Sequence, residues 1–190
     1  MRTAIILLFL TLIVACGGEE TGRGNQRAES TDAAAAAVPS VRTITLPELQ
    51  RLIQDRNGKH LVLNMWATWC VPCKEEFPDL SSLAENAGDT ADVVGISLDY
   101  PDEIDSRVIP FLRQNPVSFS IYVADVANQD NFINSLNQNW SGALPTTFIY
   151  DSDGQQTAML VGKRTLTDFE NALAQTSADN SESFNRESQR

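Results

Sequence analysis

Hydrophobic residues between about residue 45 and residue 175 form short continuous runs, separated by segments with a helical repeat. A short continuous apolar run is typical of a strand that is buried on both faces of a sheet. Two of the later runs are joined by Asp151-Ser152-Asp153-Gly154, which is a hairpin turn signature. The predicted strands are 61–66, 93–98, 119–123, 146–150 and 157–161.

Helical patterns fill the gaps between these strands, and capping residues mark where several of them begin. The predicted helices run from Thr45 through about Asp55, from Cys70 through Ala87, from about Asp102 to Gln114, near 128–137, and from Thr165 onward. Alternating strands and helices that finish with a hairpin and a helix indicate an α/β sandwich. Its sheet is predicted to be mostly parallel with an antiparallel edge hairpin.

The first residues have the pattern of a targeting segment. Residues 4–15 are apolar but shorter than the roughly 20 residues that a transmembrane helix needs, as in a signal peptide. The end of this segment with the next residue, Ile13-Val14-Ala15-Cys16, resembles the lipobox of bacterial lipoproteins, which implies cleavage after Ala15 and a lipid on the Cys16 sulfur. The alternative is a plain secretory signal with a chance cysteine.

The sequence therefore predicts four segments. Residues 1–15 are a signal peptide, 16–40 are the lipidated cysteine and a flexible tether, 41–176 are the folded domain, and 177–190 are a disordered polar tail. These segments place the domain in the bacterial cell envelope, anchored by lipid and facing the periplasm. Gly17 after the lipidated cysteine weakly favours the outer membrane over the inner one.

Composition excludes two classes of protein. The formal net charge is -11, from 14 basic and 25 acidic residues, and no basic stripe is present to bind nucleic acid. Only three cysteines occur, which is too few for a secreted scaffold held together by disulfides. Each cysteine is therefore expected to have its own role.

Cys70 and Cys73 form a CxxC pair whose most consistent interpretation is redox chemistry. A zinc site needs three or four protein ligands, whereas the chain has one such pair and a single histidine, His60, expected in a surface loop. A purely structural disulfide between these cysteines would close a very small loop and constrain the unfolded chain little.

The position of the pair at a strand-to-helix junction suggests a division of roles. Free backbone N–H groups and the helix dipole at this junction favour an anion, so Cys70 is expected to be the attacking thiolate. Cys73 follows one turn later on the same face and is expected to be less exposed. Pro72, between them, fixes the backbone and removes one donor.

Two acidic residues follow the pair, and helix geometry separates them. Glu75 lies about 200° around the helix from Cys73, whereas Glu76 lies about 60° away, beside the cysteine face. Glu75 is expected on the solvated surface. Glu76 either carries protons to and from Cys73, with its pKa raised by burial, or merely borders the helix.

Three segments of the chain together resemble the TlpA/ResA-like extracytoplasmic thiol-disulfide oxidoreductases of the thioredoxin superfamily. They are 64–78 (NMWATWCVPCKEEFP), 94–99 (VGISLD) and 144–154 (LPTTFIYDSDG). The resemblance implies the thioredoxin fold, with a TlpA-type insertion at 101–142 and with Asn64 where thioredoxins carry a buried aspartate. It also implies a cis peptide before Pro145, a proton or tuning role for Glu76, and substrate contacts at Trp69, Val71, Pro72 and Leu144.

The function implied is that of a membrane-anchored, extracytoplasmic enzyme that reduces disulfides of partner proteins. Cys70 would attack, Cys73 would resolve the mixed disulfide, and the pair itself would be the only redox group, with no metal or other cofactor. A DsbD/CcdA-like membrane protein would supply electrons, and apocytochrome c is the common substrate in this family. We expect a monomer that binds no nucleic acid.

Three alternatives share this fold. An SCO-like copper metallochaperone would use a CxxxC motif and a distant histidine, whereas this chain has CxxC and its histidine precedes the motif. A thiol peroxidase would centre on a peroxidatic cysteine in a different local motif. A non-catalytic, chaperone-like binder would not need Cys70.

Overall fold

The computed structural model describes residues 40–187, with side-chain surroundings for residues 40–178. The predicted signal peptide, the lipidation site Cys16 and the tether up to residue 39 lie outside the described residues. Within the described part, no helix is long and apolar enough to cross a membrane.

The elements follow the predicted alternation of strands and helices. The strands are β1 (Arg42–Thr45), β2 (His60–Trp66), β3 (Ala91–Ser97), β4 (Ser120–Asp125), β5 (Thr146–Tyr150) and β6 (Gln156–Val161). The α-helices are α1 (Leu46–Gln54), α2 (Val71–Ala87), α3 (Ile109–Gln114), α4 (Gln129–Leu136) and α5 (Leu166–Glu187).

The six described strands form one sheet in the order β1-β4-β3-β2-β5-β6. Strands β1 to β4 pair in parallel, while β5 is antiparallel to both β2 and β6. The parallel pairing of Trp66 with Ser97 and the antiparallel pairing of Met65 with Thr146 bring three strand ends to one edge of the sheet. The predicted fold, a mostly parallel sheet with an antiparallel edge hairpin, is confirmed.

Two apolar layers cover the two faces of the sheet. One contains Trp66 of β2 together with Phe77 of α2 and Phe169 of α5, and the other contains Met65 with Phe132 of α4. Because side chains of a strand alternate between faces, Val62 and Trp66 pack towards α2, and Asn64 between them lies on that same face. A polar residue is thereby placed under the active-site helix.

Strand β1 is an element that the hydrophobic pattern did not predict. It pairs with β4 from Arg42 opposite Tyr122 to Thr45 opposite Asp125. Only one of its four side chains, Ile44, is fully buried, at 4% exposure. A four-residue edge strand with one buried side chain leaves almost no periodic signal.

The helix predicted over 102–114 is divided into three pieces. Residues Pro101–Glu103 form a 3₁₀ turn, Ile104–Val108 form a π-helical turn, and only Ile109–Gln114 are α-helical. Pro110 at the second position of α3 has no N–H to donate to the turn before it. The π turn resolves this by letting the N–H of Ile109 bond to the carbonyl of Ile104 instead.

The prediction of a disordered tail over 177–190 is wrong for residues 177–187, which continue α5. The helix keeps contacts at and just beyond the predicted domain end. The buried Thr176 hydroxyl, at that end, lies 2.7 Å from that of Thr157. The Ser177 hydroxyl lies 3.1 Å from Nε2 of His60. A helix anchored in this way extends at low cost through polar residues.

Candidate active site

The loop 67–69 and the first turn of α2 hold the cysteine pair. Cys70 caps α2, and its Sγ accepts a hydrogen bond of 3.3 Å from the backbone N–H of Cys73. The N–H of Cys70 in turn donates to the carbonyl of Ala67. Pro72 occupies the second helical position, where its missing N–H leaves no helical bond unmade.

The structure brings the two cysteines together as a disulfide. The sulfur atoms are 2.02 Å apart and the Cα atoms 5.4 Å apart. Cys70 is 5% exposed and Cys73 is completely buried. An incoming disulfide therefore meets Cys70 first, which is the order of access that the sequence predicts for a nucleophile and a resolving cysteine.

Asp99 anchors the loop before Cys70, a role that sequence reasoning missed. Its buried carboxylate accepts hydrogen bonds from the N–H and hydroxyl of Thr68, at 2.8 and 2.6 Å, and from the hydroxyl of Ser97 at 2.5 Å. The contact joins the segment after β3 to the segment after β2. The available signal was the position of Asp99 just beyond a buried parallel strand, where strand ends meet.

Glu76 is completely buried and has a hydrogen-bond donor on each carboxyl oxygen. The side-chain amide of Asn64 donates to Oε1 at 2.8 Å, and the backbone N–H of Arg164 donates to Oε2 at 3.0 Å. Burial raises the pKa of Glu76 to about 7, against the lowering effect of these two donors. The carboxyl group can therefore both accept and release a proton near neutral pH.

Glu75 lies on the surface, as predicted. Its side chain is half exposed and makes an ion pair of 2.8 Å with Lys163. The same loop between β6 and α5 thus contacts Glu75 through Lys163 and Glu76 through the next residue, Arg164. Helix geometry alone had separated the surface carboxylate from the buried one.

The peptide bond between Leu144 and Pro145 is cis, as the resemblance implied. Pro145 is buried, and its carbonyl accepts a hydrogen bond of 2.8 Å from the N–H of Gly162. Leu144 packs against the apolar cluster that contains Cys70 and Cys73. The start of β5 therefore lies against the redox pair.

Exposed apolar side chains collect at this edge of the sheet. Among the described side chains, the large hydrophobic ones that are exposed are Trp69, Val71, Tyr100 and Val161. We call these four residues the apolar rim. The first two flank Cys70, Tyr100 follows the loop anchor Asp99, and Val161 pairs with the residue after the cis proline.

Tyr100 and Val161 were not singled out from the sequence, whereas Trp69, Val71 and the exposed Pro72 were. A cavity of about 310 Å³ adjoins Tyr100 and is lined by Asp99, Pro101 and Asp125 among others. The cavity therefore adjoins the apolar rim at Tyr100.

Comparison with known proteins identifies the family. The model of the AhpC/TSA family matches residues 36–158, well over half of the chain. This chain belongs to the AhpC/TSA family. The matched range contains the cysteine pair, Glu76, the loop anchor Asp99 and the cis proline.

Relatives of this AhpC/TSA member are named for chemistry that a cysteine pair can perform. The thiol-disulfide oxidoreductase ResA of Geobacillus kaustophilus is 28% identical over 176 residues, which is 91% of this chain and 92% of the relative. A solved thioredoxin-related protein from Neisseria meningitidis is 31% identical with a TM-score of 0.55, covering 64% of this chain and 87% of its own. A solved secreted thiol-disulfide isomerase from Corynebacterium glutamicum is 27% identical with a TM-score of 0.52, covering 63% and 72%.

These similarities confirm the resemblance drawn from the sequence. The chain is a thioredoxin-fold member of the AhpC/TSA family, of the ResA-like thiol-disulfide oxidoreductase kind. The geometry of the site agrees with this class, because such enzymes use a cysteine pair at a helix N-terminus that cycles between dithiol and disulfide.

His60 is not the surface-loop residue that the sequence suggested. It is the first residue of β2 and is half-buried, because strand pairing begins at the residue opposite Ala91. His60 begins β2, whereas the disulfide follows the last residue of that strand, so the two lie at opposite ends of β2. Within residues 40–178, no group of three or more His, Cys, Asp or Glu side chains could hold a metal ion.

Proposed function

We propose that this chain is an extracytoplasmic enzyme that reduces disulfides in partner proteins through the Cys70–Cys73 pair. The observation that carries the proposal is the disulfide at the start of α2, with Cys70 5% exposed and Cys73 completely buried. Glu76 lies one turn after Cys73 on α2, and two residues of the apolar rim, Trp69 and Val71, flank the more accessible Cys70. No cofactor beyond the pair enters the proposed cycle.

The cycle starts from the reduced pair. The Cys70 thiolate attacks one sulfur of the substrate disulfide, which breaks that bond and releases the first substrate thiolate. The sulfur of Cys73 then attacks Sγ of Cys70, forming the internal disulfide and releasing the second substrate thiolate. Two electrons pass to the substrate, and each released thiolate takes a proton.

The helix N-terminus and Glu76 serve different sulfurs in this cycle. The backbone N–H of Cys73 donates to Sγ of Cys70, and this bond together with the dipole of α2 stabilises the Cys70 thiolate. Cys73 is completely buried and cannot lose its proton to water. The carboxylate of Glu76, at i+3 on the same helix, accepts that proton as Cys73 attacks.

Insulin reduction tests the reaction class. Reduced wild-type chain is expected to cleave the insulin disulfides and precipitate the B chain in the presence of dithiothreitol, whereas Cys70→Ala is expected to match the uncatalysed rate. Wild-type activity no greater than that of Cys70→Ala would refute the reductase assignment. Equal phenotypes of the two chains in cells would instead support a chaperone-like binder.

A thiol peroxidase is the second candidate, because membership of the AhpC/TSA family does not by itself fix the reaction. A peroxidase would oxidise Cys70 to a sulfenic acid, which requires that peroxide can reach the Cys70 thiolate of the reduced chain. Peroxide consumption by the reduced chain separates the two, and the reductase proposal expects it to be slow beside insulin reduction. Copper titration of the reduced chain tests the metallochaperone in the same way.

Tyr100 provides a test of the docking surface. We expect Tyr100→Ala to raise the KM for insulin about fivefold, which corresponds to losing one aromatic contact of about 1 kcal/mol. The kcat should stay close to that of the wild type, since Tyr100 does not touch the sulfurs. The measurement is the initial rate against insulin concentration.

Tyr122→Ala is the matched control, because Tyr122 lies in β4 against Arg42 and outside the apolar rim. Reduction of hydroxyethyl disulfide, which is too small to need a docking contact with Tyr100, should be the same in both variants. An equal KM for insulin in Tyr100→Ala and Tyr122→Ala would exclude the rim as the docking surface.

The location and partners of the enzyme are further parts of the proposal. Similarity to a secreted thiol-disulfide isomerase and the predicted signal segment support action outside the cytoplasm. The lipid anchor at Cys16 is tested by palmitate labelling, which Cys16→Ser should abolish. A DsbD/CcdA-like membrane donor would re-reduce the pair, apocytochrome c is the substrate proposed from the family, and the enzyme would act as a monomer.

A further inference from the structure

Asn64 connects Glu76 to strand β5 inside the protein. It is completely buried, and its Nδ2 donates to Oε1 of Glu76 at 2.8 Å and to Oγ1 of Thr147 at 2.9 Å. Both hydrogens of the amide are therefore used. Thr147 is 1% exposed, two residues after the cis proline, so the chain of contacts runs from β5 through β2 to α2.

The other end of the same amide has no partner. Oδ1 of Asn64 is buried, and among the described residues no hydrogen-bond donor reaches it. Leaving a buried acceptor unpaired is unfavourable, and an apolar side chain between Val62 and Trp66 would avoid that cost. When Glu76 is ionised, only the Nδ2 group of Asn64 forms hydrogen bonds. This state therefore does not explain why the strand carries an amide carbonyl at this position.

The protonated state of Glu76 gives the carbonyl a use. Oε2 faces the backbone N–H of Arg164, which can only donate, so the proton of the neutral acid belongs on Oε1. A protonated Oε1 can no longer accept from Nδ2 and must donate. Rotating the Asn64 amide by about 180° about its last torsion places Oδ1 where Nδ2 was, facing that proton.

The Thr147 hydroxyl can follow this rotation without moving. A hydroxyl both donates and accepts, so Oγ1 accepts from Nδ2 in one state and donates to Oδ1 in the other. Both contacts of the amide survive, and the unpaired atom changes from Oδ1 to Nδ2. The number of hydrogen bonds around Glu76 is then the same in both states.

We propose that Asn64 is a positioning residue that holds Glu76 in place in both of its protonation states, by rotating its amide with Thr147 as the second partner. Glu76 keeps its orientation as it takes the proton of Cys73 and gives it up. The catalytic consequence rests on the proposed function, whereas the rotation itself does not.

The groups around Glu76 set its pKa, and therefore the pH at which the amide of Asn64 would rotate. On α2 they are Cys73 and Asp79, and the carboxylate of Asp79 raises the pKa of Glu76. From the loop after β6, the guanidinium of Arg164 lowers it, and Lys163 lies close enough to interact with it. From β2 it meets the neutral amide of Asn64, which in turn contacts the neutral hydroxyl of Thr147 on β5. Their combined effect with burial places the pKa at about 7.

NMR of the oxidised chain, labelled with ¹⁵N and ¹³C, tests the rotation directly. At about pH 9, two pH units above the pKa, the Nδ2 hydrogens of Asn64 should show NOEs to Glu76 and Thr147. At about pH 5 these NOEs should be lost. The pH at which half of the NOE intensity is lost should coincide with the midpoint of the titration of the Glu76 carboxyl ¹³C shift. Unchanged NOEs across the titration of Glu76 would overturn the proposal.

Variants then separate positioning from structure. Asn64→Leu should slow the attack of Cys73 on a preformed mixed disulfide about tenfold, because Glu76 loses the group that orients it. The midpoint of the Glu76 carboxyl ¹³C shift should stay close to that of the wild type, because both protonation states lose one hydrogen bond. Removing a residue that only donates to the carboxylate would raise this midpoint, so a raised midpoint in Asn64→Leu contradicts the proposal.

Thr147→Val should slow the attack of Cys73 as well, and Thr146→Val is its control because the Thr146 hydroxyl donates to the carbonyl of Ala143 instead. The titrating ¹³C signal of Glu76 reports that each variant is folded. An NOE switch together with wild-type rates in Asn64→Leu would support the rotation and refute proton transfer by Glu76, which is the proposed function.

Discussion

Replacing Cys73 with serine is expected to trap the enzyme on its substrates. Cys70 would still attack a substrate disulfide, but no second thiol would remain to release it, so mixed disulfides should accumulate. Cys70→Ser should form no such adducts, because the buried Cys73 is not accessible to a protein disulfide. Insulin reduction should fall by more than about a thousandfold in both variants, the scale seen when a nucleophile is removed.

Non-reducing electrophoresis followed by mass spectrometry of the adducts measures the trapping. The double variant Cys70→Ser/Cys73→Ser is the control for unrelated cross-links. Adducts that form equally in Cys70→Ser and Cys73→Ser would contradict the assignment of attack to Cys70 and resolution to Cys73.

Replacing Glu76 with glutamine is expected to change how the stability of the oxidised protein depends on pH. The pKa of Glu76 is about 7 in the folded protein, above its ordinary value of 4.5. The folded state therefore binds the proton more tightly, and this contribution is complete below about pH 4.5. It is lost as the pH rises through about 7, and it amounts to about 3 kcal/mol of unfolding free energy in all.

Urea unfolding across this pH range measures the effect. The wild type should lose about 3 kcal/mol more than Glu76→Gln as the pH rises from about 4.5 to above 7. Glu75→Gln is the matched control, because Glu75 is half exposed and paired only with Lys163 at the surface. Its curve should run parallel to that of the wild type. A Glu76→Gln curve that also runs parallel would show that burial does not raise the pKa.

Local patterns in the sequence predicted the parts of the site that lie on one element. The CxxC pair at a strand-to-helix junction located both cysteines, and the rotation per residue of a helix separated Glu76 from Glu75. The capping box of Thr45 and Glu48 located the start of α1. Each of these relations spans only a few residues, so no tertiary information was needed.

The parts that were missed depend on contacts between distant segments. Asp99 reaches Thr68 only because β2 and β3 pair in parallel with Trp66 opposite Ser97. The same register places Tyr100, which follows Asp99, at the edge of the sheet where the apolar rim lies. Nothing within a window around either residue specifies the neighbouring strand, so its role could not be read from local periodicity.

The cis proline and the pairing of Asn64 with Glu76 show the two ways in which such contacts can be found. Resemblance to a family supplied the first, because the motif around Leu144-Pro145 carries it. The second needed the structure, since it joins the middle of β2 to the second turn of α2. An asparagine inside an apolar strand was the only signal, and it named no partner.

The reduction potential of the Cys70–Cys73 pair tests the central claim most directly. Equilibration of the chain with a series of thiol buffers, followed by thiol alkylation and mass spectrometry, gives its value. A reductase of partner proteins requires a potential near that of thioredoxin, about -270 mV. A value near that of the oxidant DsbA, about -120 mV, would mean that the pair donates disulfides, and it would contradict the direction of electron flow proposed for this enzyme.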